Sequence, residues 1–154
     1  MEVYRITKTK YSNDISGEGA RLYGGRWNRP GLAVIYTSES RSLALLELIV
    51  HFSSKSAFKE NYSYITFTIK ENLIENLDIN LLPNNELEPN DDRLWKITDY
   101  YFQDKKVAAL RVPSVLIPQE NNIIINPYHF ELKNWALKEI ETINLDERFE
   151  NSKK

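Results

Sequence analysis

The chain has no cysteine and only two histidines, His51 and His129. Disulfides, thiol nucleophiles and thiolate metal sites are therefore excluded, and two histidines alone make no cluster of zinc-ligand spacing. Long apolar runs are missing too. Leu43–Leu46 and Leu48–Val50 are among the longest, far short of the roughly 20 residues a membrane helix needs. The opening MEVYRITKTKYSND carries neither an apolar h-region nor a small-residue cleavage site, so a cytoplasmic protein without membrane attachment is expected. Charge of one sign does not dominate: the formal net charge is −2, which gives no electrostatic footing for direct nucleic-acid binding. There is no G-x-S-x-G, no P-loop and no G-x-G-x-x-G between strand and helix; Gly17-Glu18-Gly19 lacks the third glycine and the flanking elements. Glycine itself is scarce, and all five residues fall between Gly17 and Gly31.

What is present suits one soluble domain. A hydrophobic fraction of 42% beside 27% charged residues over 154 positions suffices for a core. The domain is expected over residues 1–149, with a charged tail at 150–154. Glu2–Ile6 reads as a first strand, and 11–31 as loop, with glycines for turns and close backbone approaches. Leu32–Thr37 reads as a buried strand. Ser38 or Ser40 can cap a following helix whose residues Leu43, Leu45, Leu46, Ile49, Val50 and Phe52 cover more than half the circumference, predicting a buried helix. Glu47 sits at the edge of that arc, where a carboxylate needs a partner or a task. Tyr62–Lys70 alternates as a half-buried strand, and Leu73–Leu82 is ambiguous. After an exposed loop over 84–92, Asp91 or Asp92 caps a helix to about Gln103, with Leu94, Trp95, Ile97 and Tyr101 inward. Three short strands follow, Ala108–Val112, Val115–Ile117 and Ile123–Ile125, with a turn at Gln119–Asn122 and another at Asn126–His129. Leu137–Leu145 suits a last strand, although Leu132–Ile140 also passes as a helix.

Once the excluded chemistries are set aside, a polar set remains: Arg26, Tyr36, Glu47 and Ser114. Arg26 lies among glycines, which suits a guanidinium gripping a phosphate that needs close approach, and Gly25 beside it clears the space. Loop, strand and helix between Arg26 and Glu47 can fold back so that both face one cleft. Tyr36 offers a ring face and a hydroxyl, and Ser114 after Pro113 offers a short donor and acceptor. Each has a plainer reading. Arg26 and Glu47 can form an ordinary salt bridge, Tyr36 can belong to the core, and Ser114 can bond its own turn.

Several motifs in order resemble the RES-domain family, named for an Arg, a Glu and a Ser. They are Tyr4-Arg5, Gly24-Gly25-Arg26-Trp27-Asn28, Ala33-Val34-Ile35-Tyr36-Thr37, Leu45-Leu46-Glu47-Leu48, Ala109-Leu110-Arg111-Val112-Pro113-Ser114, Asn126-Pro127-x-His129 and Leu145-Asp146-x-Arg148. The weakest stretch is the region 53–92, which carries nothing specific to the family. The resemblance implies an α+β fold, a small mixed or antiparallel split sheet with flanking helices, similar to the ADP-ribosyltransferase toxins. It implies a toxin of a bacterial toxin–antitoxin pair that degrades NAD⁺ at the nicotinamide–ribose bond, by hydrolysis or phosphorolysis, and arrests growth. NAD⁺ is then the substrate, inorganic phosphate an alternative acceptor to water, and no resident cofactor is expected. Arg26, Tyr36, Glu47 and Ser114 become the catalytic set, with Arg5, Gly25, Arg26 and Tyr36 binding substrate. The implied partners are an antitoxin of Xre helix-turn-helix type and a second copy in a homodimer. Two rival readings stay open: ADP-ribosyl transfer to a macromolecule, and a non-catalytic binding module.

Overall fold

A strand made mostly of isoleucine sits inside the architecture. Strand β6, Asn121–Ile125, sends Ile123 and Ile125 to one apolar cluster and Ile124 to another, as two-residue periodicity requires. All three are fully buried. A strand apolar on both sides must be covered on both sides, and this requirement organises the layers.

The computed structural model describes residues 1–52, 57, 60–82, 91–104, 107–129, 137–146 and 148. Its strands are β1 Glu2–Lys8, β2 Ile35–Ser38, β3 Tyr62–Thr68, β4 Ile74–Asn76, β5 Ala109–Pro113, β6 and β7 Leu137–Ile143. They form a sheet in the order β4-β5-β6-β2-β1-β3-β7. β4 and β5 are parallel and the other described pairs antiparallel. Helix α1 is Glu18–Tyr23, α2 Arg41–Val50 and α3 Asp92–Asp99, the last running into a wider π-type turn, Tyr100–Asp104. Leu94, Tyr101 and Phe102 lay the α3 side of the molecule over Val34, Leu110, Val112 and Ile124. Val3, Ile35, Ile65, Phe67, Ala109, Ile123 and Ile125 make the opposite cluster.

The α+β class with a mixed sheet holds, and the expected split takes a definite form. β1 pairs with β3 along its whole length, but with β2 only at Tyr4↔Ser38. The sheet is continuous yet pinched at that seam, and α2 lies against β1 and β2 beside it.

The local expectations fared unevenly. The caps are as read: Ser40 Oγ accepts from the Leu43 N–H at 3.1 Å, and Asp91 accepts from the Arg93 N–H at 2.9 Å. β2 starts three residues later than the expected Leu32–Thr37 strand, because Leu32–Val34 still belong to the loop that Asn28 holds. The supposed loop 11–31 contains α1, which begins after Gly17 at φ 71°. No strand forms at Val115–Ile117: the Ser114 hydroxyl accepts the Leu116 and Ile117 N–H groups at 3.1 and 3.2 Å and turns the chain. Asn122 lies in β6 and not in a turn. Helix α2 is less buried than its composition suggests. Only Leu43 and Ala44 are buried, while Val50 is 47% exposed. One side of α2 meets the sheet, and the remaining apolar residues extend beyond it. β7 settles the Leu137–Leu145 stretch as a strand. The expected loop over 84–90, the 132–136 part of the alternative helix and the tail 150–154 lie outside the described residues.

Candidate active site

The segment Gly24–Asn28 is a tight corner, closed by a Gly25 N–H to Asn28 carbonyl bond of 2.8 Å. Gly24 turns the chain at φ 70°, in the left-handed region. Gly25 is needed for proximity: a Cβ there would stand 2.5 Å from the Tyr36 hydroxyl. Asn28 is fully buried and staples the loop, its Nδ2 donating to the carbonyls of Ala20, Arg29 and Leu32 at 2.8, 3.2 and 2.9 Å. Tyr36 reaches across from β2. Its hydroxyl donates to Asn28 Oδ1 at 2.8 Å and accepts the Trp27 N–H at 3.0 Å. Burial pushes the Tyr36 phenol above its ordinary range, against the lowering effects of the Trp27 N–H and the Arg26 charge. Tyr36 is thus a neutral hydroxyl that fixes the corner carrying Arg26. From the other side, the Trp95 indole N–H donates to the Gly25 carbonyl at 2.8 Å.

Arg26 projects from this corner into a cavity of about 390 Å³, whose walls include Gly25, Arg26, Trp27, Tyr36, Glu47 and Asn122. That size falls in the range of about 300–1,000 Å³ usual for small-molecule sites. Arg26 Nη1 is buried without a hydrogen-bond partner. A guanidinium nitrogen removed from water and left unsatisfied is costly, and an anionic ligand would satisfy it. Among the described residues no ion pair links Arg26 to Glu47. The salt-bridge reading therefore does not describe this pair.

Glu47 comes from α2, one turn beyond Leu43, and is half-buried at the cavity wall. Its Oε1 accepts from Ser114 Oγ at 3.1 Å and from Asn122 Nδ2 at 2.7 Å. Ser114 is itself buried, and with two backbone N–H groups on its oxygen it directs its own proton to Glu47. A smaller chamber of about 240 Å³ adjoins the first, sharing Tyr36, Glu47, His51 and Asn122 and adding Tyr4, Arg5 and Ser38. It opens where β1 and β2 meet, at the pinch. Arg5 donates to the Asp14 carbonyl at 2.8 Å. Burial pushes its guanidinium pKa down, and the Asp14 charge partly offsets this.

The fold thus brings Arg26, Tyr36, Glu47 and Gly25 to one cavity and Arg5 to its neighbour, while Ser114 stands behind Glu47 and outside the cavity lining. His129 lines a separate cavity with Asn72 and Glu75. Reasoning from sequence missed Asn122, Ser38 and His51. The available clue to Asn122 was its position two residues before Ile124, which puts it on the Ile124 side of β6 and toward Tyr36 on β2. No group of three or more His, Cys, Asp or Glu suited to a metal occurs among the described residues, and no described helix is long and apolar enough to cross a membrane.

The RES domain family model matches residues 2–146. The chain is 38% identical over 129 residues to a protein named Toxin Res from Photorhabdus laumondii, covering 82% of each chain. It is 31% identical over 145 residues to a Prs ADP-ribosylating toxin from a Sphingobium species, covering 92% of this chain and 89% of the relative. The toxin–antitoxin complex MbcT–MbcA of M. tuberculosis includes a chain with the same fold, at a TM-score of 0.69 and 18% identity, covering 98% of this chain and 87% of that one. With the family model spanning nearly the whole chain and relatives at this level of identity, the chain belongs to the RES-domain family.

Proposed function

We propose that this protein is the toxin of a toxin–antitoxin pair, and that it destroys NAD⁺ by breaking the bond between nicotinamide and ribose. One observation carries the reading. A carboxylate held through one oxygen by two neutral donors and a buried guanidinium nitrogen without a partner line the same cavity. The names of the relatives and the toxin–antitoxin setting of the structural neighbour support the toxin part of this reading.

In this mechanism the C1′–N bond breaks with its electron pair going to nicotinamide, which leaves as a neutral ring, so no strong general acid is needed. The barrier lies in the oxocarbenium-like ribose that develops. A fixed carboxylate beside that carbon is most effective where water is largely excluded, and Glu47 has this task. Arg26 binds the diphosphate as a fork of N–H donors, with Arg5 assisting from the adjoining chamber. Gly25 lets the substrate approach the corner, Tyr36 flanks the nicotinamide, and Ser114 orients Glu47. Water or inorganic phosphate then attacks C1′ and gives up a proton, yielding free or phosphorylated ADP-ribose. An antitoxin partner restrains the enzyme.

Incubating the purified chain, free of any co-purifying protein, with NAD⁺ should release nicotinamide; no release would contradict the proposal. Repeating the reaction with and without phosphate identifies the acceptor. A second reading is favoured by the relative named a Prs ADP-ribosylating toxin: transfer of ADP-ribose to a macromolecule. Labelled NAD⁺ with cell extract separates the two, since transfer leaves label on macromolecules and depletion leaves it in small products.

A further inference from the structure

Ser38 and Asn122 are direct partners across β2 and β6, and their side chains form a relay to Glu47. Ser38 Oγ donates to Asn122 Oδ1 at 2.7 Å, which fixes the amide so that its Nδ2 donates to Glu47 Oε1, also at 2.7 Å. Ser114 donates to the same oxygen. Oε2 accepts nothing among the described residues. The terminal torsion of a glutamate is otherwise broad and two-fold, exchanging its oxygens freely. Two donors on one oxygen stop that exchange and leave the other oxygen for the cavity. Both donors are neutral, so neither brings to the acid the opposing charge that a lysine or arginine at either place would.

We propose that Asn122, oriented by Ser38, is a positioning residue that presents Glu47 Oε2 to the ribose carbon. This inference rests on the NAD⁺-cleaving reading above. It assigns the amide a part in catalysis without contact with the reacting atoms: a carboxylate free to turn stabilises a developing cation less than one already aimed. Because the relay joins β2 to β6 and ends on α2, it also sets the helix relative to the pinched seam. The other ionisable groups around Glu47 are Arg26 and Tyr36 in the larger chamber, Arg5 and Tyr4 in the smaller, and His51 in both.

The test is steady-state nicotinamide release by wild type, Asn122→Ala, Asn122→Asp and Ser38→Ala, with melting followed on each. Asn122→Ala should lower kcat by about 10²-fold, comparable to losing one preorganised donor, with KM for NAD⁺ unchanged. Ser38→Ala, which keeps the amide but unpins it, should lower kcat by about 10-fold at most, the equivalent of one neutral hydrogen bond. Asn122→Asp is nearly isosteric and guards against a folding defect in the alanine variant. Its new carboxyl can donate to Glu47 only while the pair retains a proton. Activity of this variant should therefore decline as pH rises and that proton is lost, along a limb absent from the wild-type profile. A purely structural asparagine would give the same pH profile at a reduced level. Wild-type release with unaltered kcat and pH profile in both Asn122 variants would overturn the positioning role alone. No release by the wild type would overturn the cleavage reading and this inference with it.

Discussion

Two arginines of this fold are treated in opposite ways. Arg111 on β5 is saturated: Nε donates to Glu39 Oε1 and Nη2 to Glu71 Oε1, each at 2.7 Å, and Nη1 donates to Asn76 Oδ1 at 2.9 Å. Those carboxylates raise its pKa, the Glu71 hydrogen bond most, against some desolvation. Arg26 lines a cavity with a carboxylate in the wall, yet Nη1 is buried without a partner. The two acids differ correspondingly. Glu39 is matched to a cation and to the Asn121 amide, whereas the described bonds to Glu47 come from neutral groups. Both places combine Arg with Glu, but around Arg111 two glutamates close the structure, while Arg26 and Glu47 leave a gap. A cation and an anion kept apart along one cavity wall suit a dipolar or doubly functional ligand, which is the arrangement the proposed function uses.

The contrast can be broken at several points. The largest effect is expected for Glu47→Gln, which should slow nicotinamide release by about 10²–10³-fold while leaving the melting temperature near that of wild type. Arg26→Ala comes next. Loss of charge-assisted bonds to the diphosphate should weaken NAD⁺ binding by about 1.5–3 kcal/mol, read by calorimetric titration, and unchanged affinity would remove Arg26 from the phosphate. Tyr36→Phe should cost about 1–3 kcal/mol of stability, because the Trp27 N–H and Asn28 Oδ1 both lose their partner; chemical denaturation measures it. The smallest effect belongs to the saturated arginine. Arg111→Met should lower stability by about 1 kcal/mol and leave NAD⁺ affinity untouched, the reverse of the Arg26 pattern.

Much of the candidate site was legible in the sequence, though unevenly. Arg26 and Glu47 stand out because a polar group placed among glycines or on an apolar helix violates the surrounding pattern, and Tyr36 because it puts a ring face and a hydroxyl at the end of an apolar strand. Asp91 and Ser40 announce their helices by their own chemistry. Asn122 did not stand out, because an asparagine after Gln119-Glu120-Asn121 reads as turn, and only pairing with β2 makes it a strand residue facing Glu47. Val115–Ile117 read as strand on composition, but a Ser114 side-chain bond decided the backbone there. The breadth of the apolar arc on α2 overstated its burial, since periodicity reports which sides are apolar and not how much sheet is available to cover them. Glu39 and Arg111 were equally visible in the sequence, and nothing local distinguished their closed pair from the open one. That distinction depends on which strands lie side by side, a property of topology.

The most direct measurement is a pair of double-mutant cycles in unfolding free energy, without ligand: Arg26→Ala with Glu47→Gln, and Arg111→Met with Glu39→Gln. Coupling between Arg111 and Glu39 should be about 1 kcal/mol, as for a partly exposed ion pair, and between Arg26 and Glu47 below about 0.5 kcal/mol. A coupling between Arg26 and Glu47 as large as that of the closed pair would contradict the account, because the two would then be each other's partners and not the two sides of a substrate site.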